Sequence, residues 1–80
     1  MGIKKAVTTR FQELCAEKKI RMNTLANNAG ITPSTVYSML DDSRKDIGIV
    51  TVKKLCDGLD ISIEDFFSSR LFRDLEQEIE

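Results

Sequence analysis

The sequence predicts an all-α fold: a compact five-helix domain with a short C-terminal amphipathic helical extension. Three observations carry that expectation. Apolar residues recur at spacings of three and four along most of the 80 residues, the period of one helix face. One helix-start pattern occurs four times: an isoleucine, a capping position, and an apolar residue five places after the isoleucine. The pairs are Ile20 with Leu25, Ile31 with Val36, Ile47 with Val52, and Ile61 with Phe66. This is the spacing of a hydrophobic staple, which sets the angle at which the chain enters a helix. Finally, no stretch alternates apolar and polar residues as a half-buried strand would.

The elements follow in order. Helix one covers about Lys5 to Lys18, with Val7, Phe11, Leu14 and Cys15 inward. Helix two covers Met22–Asn28 behind Arg21, a poor cap because its side chain has no acceptor. Gly30 then supplies the left-handed backbone that ends a helix. Thr32 caps helix three, Pro33–Leu40, and Pro33 sits at the first helical position, where its missing N–H costs nothing. Val36, Met39 and Leu40 give helix three its apolar face. Asp41 to Ile47 is a polar loop carrying Arg44 and Lys45. Gly48 caps helix four, Ile49–Gly58, which buries Ile49, Val52, Leu55 and Cys56. Ser62 caps helix five, which buries Ile63, Phe66 and Phe67, with Glu64 and Asp65 in a first turn that favours acids. After Ser68 and Ser69, residues Leu71, Phe72, Leu75 and Ile79 stand at i, i+1, i+4 and i+8 and predict a last amphipathic segment. The division expected is a domain over 1–67 and an acidic extension over 68–80.

Composition narrows the function. Neither the 41% hydrophobic nor the 31% charged fraction is unusual for a globular domain. No apolar run approaches the ~18 residues of a membrane span, and MGIKKAVTTR lacks the apolar centre of a secretory signal, so a cytoplasmic protein away from membranes is expected. The chain has no histidine, and Cys15 and Cys56 lie far apart among apolar helix positions. They read as buried thiols, not as a disulfide or metal ligands. His-based metal sites and Ser-His or Cys-His nucleophiles are excluded, so no enzyme, cofactor or metal is expected. Net charge is −1, but it is unevenly placed: residues 1–56 hold ten basic against five acidic side chains, a net +5, and residues 57–80 hold two against eight, a net −6. Binding responds to the local field, so the basic body remains compatible with a polyanion.

The stretch Met22–Leu40 carries the most information. Leu25, Ala26 and Ala29 lie on one face, and Ala26 is small where two helices crossing at ~90–120° approach closely. The outer face of the second helix reads Ser34, Thr35, Tyr37, Ser38: short hydrogen-bonding groups and one aromatic ring, with no acid. Such a helix fits a DNA major groove.

With these residues in view, the chain from about Val7 to Phe67 resembles the phage repressor and Cro type of helix-turn-helix domain. The resemblance rests on the order of five helices, on Leu25-Ala26, Gly30-Ile31, Val36 and Met39, and on Leu59-Asp60-Ile61-Ser62 before the last helix. It implies base reading by Pro33, Ser34 and Ser38 with Tyr37 beside them. It implies phosphate contacts near the start of helix two, where Asn23 is the polar choice over Met22, and in the loop at Arg44 and Lys45. With Thr32 and Thr35, these make up the expected surface for double-stranded DNA. Pro33 cannot hydrogen-bond a base, which shifts weight to Tyr37, to thymine methyl groups and to DNA shape. The family's arginine on helix one and glutamate after helix three correspond here to Cys15 and Leu40, so an apolar contact is expected in place of an ion pair.

What the resemblance implies in function is a transcriptional regulator, a repressor that binds a two-fold operator as a homodimer. The stripe Leu71, Phe72, Leu75 and Ile79 is too apolar for an isolated exposed helix. It is expected to bury, with Phe66 or Phe67, against its symmetry mate, the alternative being that it folds back on its own domain. A second reading is an antitoxin-like or adaptor module that meets a protein partner through the acidic, aromatic stretch 66–80.

Overall fold

Five α-helices and one 3₁₀ turn follow one another in the computed structural model, which describes residues 1–79. They are α1 (Ile3–Lys18), α2 (Met22–Asn28), α3 (Pro33–Leu40), α4 (Ile49–Gly58), α5 (Ile63–Phe67) and the 3₁₀ turn Arg70–Phe72. The all-α expectation holds among these residues, and α2, α3 and α4 have the bounds their caps and periodicity imply. α1 starts two residues earlier than expected, because Ile3 already packs against the core.

Three of the four turns between helices are one device used repeatedly. Lys19, Gly30 and Asp60 each adopt a left-handed backbone, with φ of 56°, 70° and 58°. The isoleucine that follows each of them donates its N–H back into the helix just finished: Ile20 to Cys15 at 3.0 Å, Ile31 to Ala26 at 2.8 Å, Ile61 to Cys56 at 3.0 Å. These bonds satisfy carbonyls that a helix end otherwise leaves unpaired. The next residue (Arg21, Thr32 or Ser62) is the N-cap of the following helix. One half-buried isoleucine thus closes one helix and staples the next. The exception is the α3–α4 loop, where Asp41 organises the turn. Its carboxylate accepts from the Ser43 N–H at 3.0 Å and from the Ser43 hydroxyl at 2.7 Å.

Val7, Phe11, Leu14, Cys15, Leu25, Met39, Val52, Leu55, Cys56, Leu59 and Phe66 form the continuous core. At Gly58, α4 lies so close to α2 that an added Cβ would stand 3.1 Å from Leu25 Cδ1 and 3.2 Å from Ala29 Cβ. Two expectations need correction. Ile49 is not inward but 66% exposed, beside the equally open Val50. The first turn of α4 projects past the core, and Ile47, the staple residue, takes the half-buried place at that corner.

The second correction concerns the C-terminal segment. Beyond Ser69 the amphipathic helix shrinks to a single 3₁₀ turn, started by the Ser69 hydroxyl accepting from the Leu71 N–H at 3.2 Å. Phe72 folds back onto the domain, its ring 4.8 Å from Phe67 and 5.9 Å from Phe66, which in turn lies 4.3 Å from Phe11. Docking one ring satisfies the apolar stripe without a helix. A longer helix here would also place Asp74, Glu76 and Glu78 at its C-terminal end, where the helix dipole opposes acids, and short helices are marginal unless packing supports them.

Candidate nucleic-acid interface

Helix α3 presents its polar face on a firm apolar base. Val36 and Met39 are buried, and Leu40 is half-buried at the core's edge. Thr32 caps the helix by accepting from the Thr35 N–H at 3.4 Å, and the two threonine hydroxyls lie 3.1 Å apart. Pro33, Ser34 and Tyr37 are exposed, Tyr37 by 74%. They stand at i, i+1 and i+4, hence on one side of the helix. Thr35 and Ser38 are only half-buried neighbours of that face. With Met39, Asp46, Ile47, Gly48 and Thr51 they line a pocket of about 130 Å³ between α3 and the start of α4. The structure therefore brings Thr32, Pro33, Ser34 and Tyr37 to the open surface and turns Thr35 and Ser38 toward α4.

The C-terminus of α3 is held from α1, by residues that were not foreseen. Lys4 Nζ donates to the Asp41 carbonyl at 2.6 Å. One turn along, the buried Thr8 hydroxyl lies 3.3 Å from the Met39 carbonyl and 3.0 Å from that of Lys4. A hydroxyl has one proton to share between them. The Met39 carbonyl lies in the last turn of α3, where the helix itself supplies no donor. The Asp41 carbonyl belongs to the C-cap and also accepts from the Arg44 N–H at 3.1 Å, and a cation is favoured at that end of the dipole. Arg10 treats α5 in the same way, donating from Nε to the Phe66 carbonyl at 2.9 Å and from Nη2 to that of Asp65 at 3.2 Å. A signal for this was present: Lys4 and Thr8 continue the same face as Phe11 and Cys15, at spacings of four, three and four.

Polar and basic groups lie in the segments before and after α3. Asn23 is exposed in the first turn of α2. Arg44 and Lys45 are exposed in the α3–α4 loop, Arg44 lying 3.8 Å from the Asp41 carboxylate. The hydrogen bonds from Ser43 hold the Asp41 carboxyl below its usual value, with smaller help from Arg44 and Lys4. Arg44 and Lys45 also line a cleft of about 210 Å³, with Gly2, Lys4, Lys5, Asp42, Glu76 and Glu78.

The two thiols are buried and unpaired with each other. Cys15 faces Met22, sulfur to sulfur at 3.4 Å, and burial raises its pKa. Burial also pushes Cys56 up to about 11, against smaller downward pulls from Lys53 and Arg10. Cys15 is thus a buried apolar group whose sulfur meets Met22, while Leu40 sits half-buried at the core's margin.

Comparison with known proteins agrees with this geometry. No curated protein sequence matches the chain. A solved chain described as the crystal structure of the prophage Lp1 protein 11 is similar throughout, with a TM-score of 0.84 and 30% identity, covering 94% of this chain and 100% of that one. Residues 10–69 match the Cro/C1-type HTH DNA-binding domain, a span that includes every turn and cap from α2 to α5. The chain belongs to the Cro/C1-type helix-turn-helix DNA-binding domain family.

Proposed function

We propose that this protein is a sequence-selective transcriptional regulator of the cytoplasm, a repressor that binds a two-fold operator as a homodimer. The observation that supports this most is the exposed trio Pro33, Ser34 and Tyr37 on a helix whose two ends are both fastened, by Thr32 at the start and by Lys4 and Thr8 at the end. A reading helix must be held rigidly, because contacts to base edges discriminate only when donor and acceptor positions are fixed. Ser34 is the hydrogen-bonding reader. Tyr37 contributes its hydroxyl and ring face, and Pro33 offers apolar contact to a thymine methyl. Asn23, Arg44 and Lys45 hold phosphates and set the register without reading sequence. No catalytic role enters this account.

Selection of bound sequences from a random duplex pool tests the reading: an enriched, two-fold motif is expected, and no enrichment would overturn it. Replacing Arg44 and Lys45 together by alanine should weaken binding to all sequences alike. It should also flatten the slope of log affinity against log salt by about two units. An unchanged slope would remove the loop from the interface. The exposed pair Ile49 and Val50 is the feature that favours the antitoxin-like or adaptor reading, which predicts no steep salt dependence on duplex DNA at all.

A further inference from the structure

The cleft that holds Lys4, Lys5, Arg44 and Lys45, with Asp42, Glu76 and Glu78 also in its lining, joins the chain's basic body to its acidic tail. The tail is seated there by specific contacts. Phe72 anchors it on Phe67 and Phe66. The Glu76 N–H donates to the Met1 carbonyl at 3.1 Å, and the Glu76 carboxylate accepts from the Met1 nitrogen at 3.2 Å. Glu78 Oε2 reaches the N-cap of α1, 3.4 Å from where a Cβ on Gly2 would stand. Lys4 is committed to the Asp41 carbonyl, Lys5 is 3.4 Å from Asp42 and Arg44 is 3.8 Å from Asp41, the last two being exposed pairs, so that Lys5, Arg44 and Lys45 are the cleft's cations open to a stronger anion.

A carboxylate and a phosphodiester ask the same thing of such a cleft: one negative charge met by lysine ammonium and arginine guanidinium groups. Building on the DNA-binding reading above, we propose that this cleft is a site for DNA phosphates and that Glu76 and Glu78 occupy it as an internal competitor in the free protein. Tethering keeps the competitor at high effective concentration. Exposed ion pairs are individually weak, so a duplex with its dense line of phosphates displaces the tail, and a short or poorly matched site does not. The acidic tail thereby raises the threshold for non-specific binding and leaves the contacts of Ser34 and Tyr37 untouched.

The test uses the full chain with Glu76→Gln and Glu78→Gln, measured on a random-sequence duplex across salt. Affinity at about 50 mM salt should rise about three- to tenfold, with a steeper salt slope, and the gain should vanish toward about 300 mM as screening removes it. In an Arg44→Ala, Lys45→Ala background the same tail substitutions should give no gain. Equal binding by the natural chain and the tail variant overturns the proposal. A gain that persists without Arg44 and Lys45 also overturns it, because the tail would then act through its overall field, not through the cleft. If neither protein binds any duplex at low salt, the DNA-binding reading itself fails, an outcome distinct from both.

Discussion

Ser34 and Cys56 mark the two kinds of residue from which this molecule is made. In the function proposed above Ser34 carries recognition, and as an exposed residue it carries almost no stability. Its replacement by alanine should broaden the motif recovered by selection while moving the unfolding free energy by no more than ~0.5 kcal/mol, the usual limit for an exposed site. A sharpened or unchanged motif would show that Ser34 does not face bases. Cys56 is the opposite, silent in recognition and sealed in the core. Its thiol is held neutral in the fold, up to about 11 from an ordinary 9.0, chiefly by burial. The unfolded chain therefore ionises first as pH rises, and the folded state loses the benefit. Below pH 9 the contribution is fully present; between about 9 and about 11 it is lost. Urea midpoints across that range should fall more steeply for the natural chain than for Cys56→Ala, and parallel curves would show that the thiol is not the titrating group.

At the scale of elements, what was legible in the sequence was what is local. Each isoleucine, its cap and its apolar partner lie within six residues, so α2, α3, α4 and the start of α5 could be placed from spacing alone. The clamps on α3 and α5 were not legible in the same way, because Lys4 and Met39, or Arg10 and Phe66, meet only through the fold. Lys4 and Thr8 look like surface residues until α1 packs across the end of α3. The C-terminal segment misled for a related reason: a period of three to four marks apolar positions, but a single docked phenylalanine satisfied them in another conformation. The clamp makes its own prediction. Thr8→Val keeps the shape of a buried side chain and removes its donor, leaving the Met39 carbonyl without that partner. The cost should be about 1–3 kcal/mol. Amide exchange in the last turn of α3 should rise more than in α4, a readout that a general loss of packing would not produce.

The whole molecule divides charge between a basic body and an acidic tail, and it now offers a smaller surface for self-association than the apolar stripe implied. Phe66 is fully buried in the chain's own core, so it has no area left for a second copy. Phe72 is occupied by Phe67. What remains of the proposed dimer contact is Phe67, Leu71 and Leu75, all half-buried, with Ile79 at 84% exposure. A pair joined through these residues must place its two α3 helices about one DNA turn apart, ~34 Å, to read a two-fold site. Ending the chain after Asp74 separates the roles, because Phe72 stays docked while Leu75 and Ile79 are removed. Sedimentation at micromolar concentration, with no DNA present, should find the natural chain dimeric and the shortened chain monomeric, a measurement indifferent to the loss of Glu76 and Glu78 from the cleft. A shortened chain that stays dimeric would move the interface away from the tail, and Ile49 and Val50 on α4 would then be the apolar surface to substitute next. A natural chain that is monomeric throughout would leave the operator to bring two copies together, and the spacing of its half-sites would become the measure of how they sit.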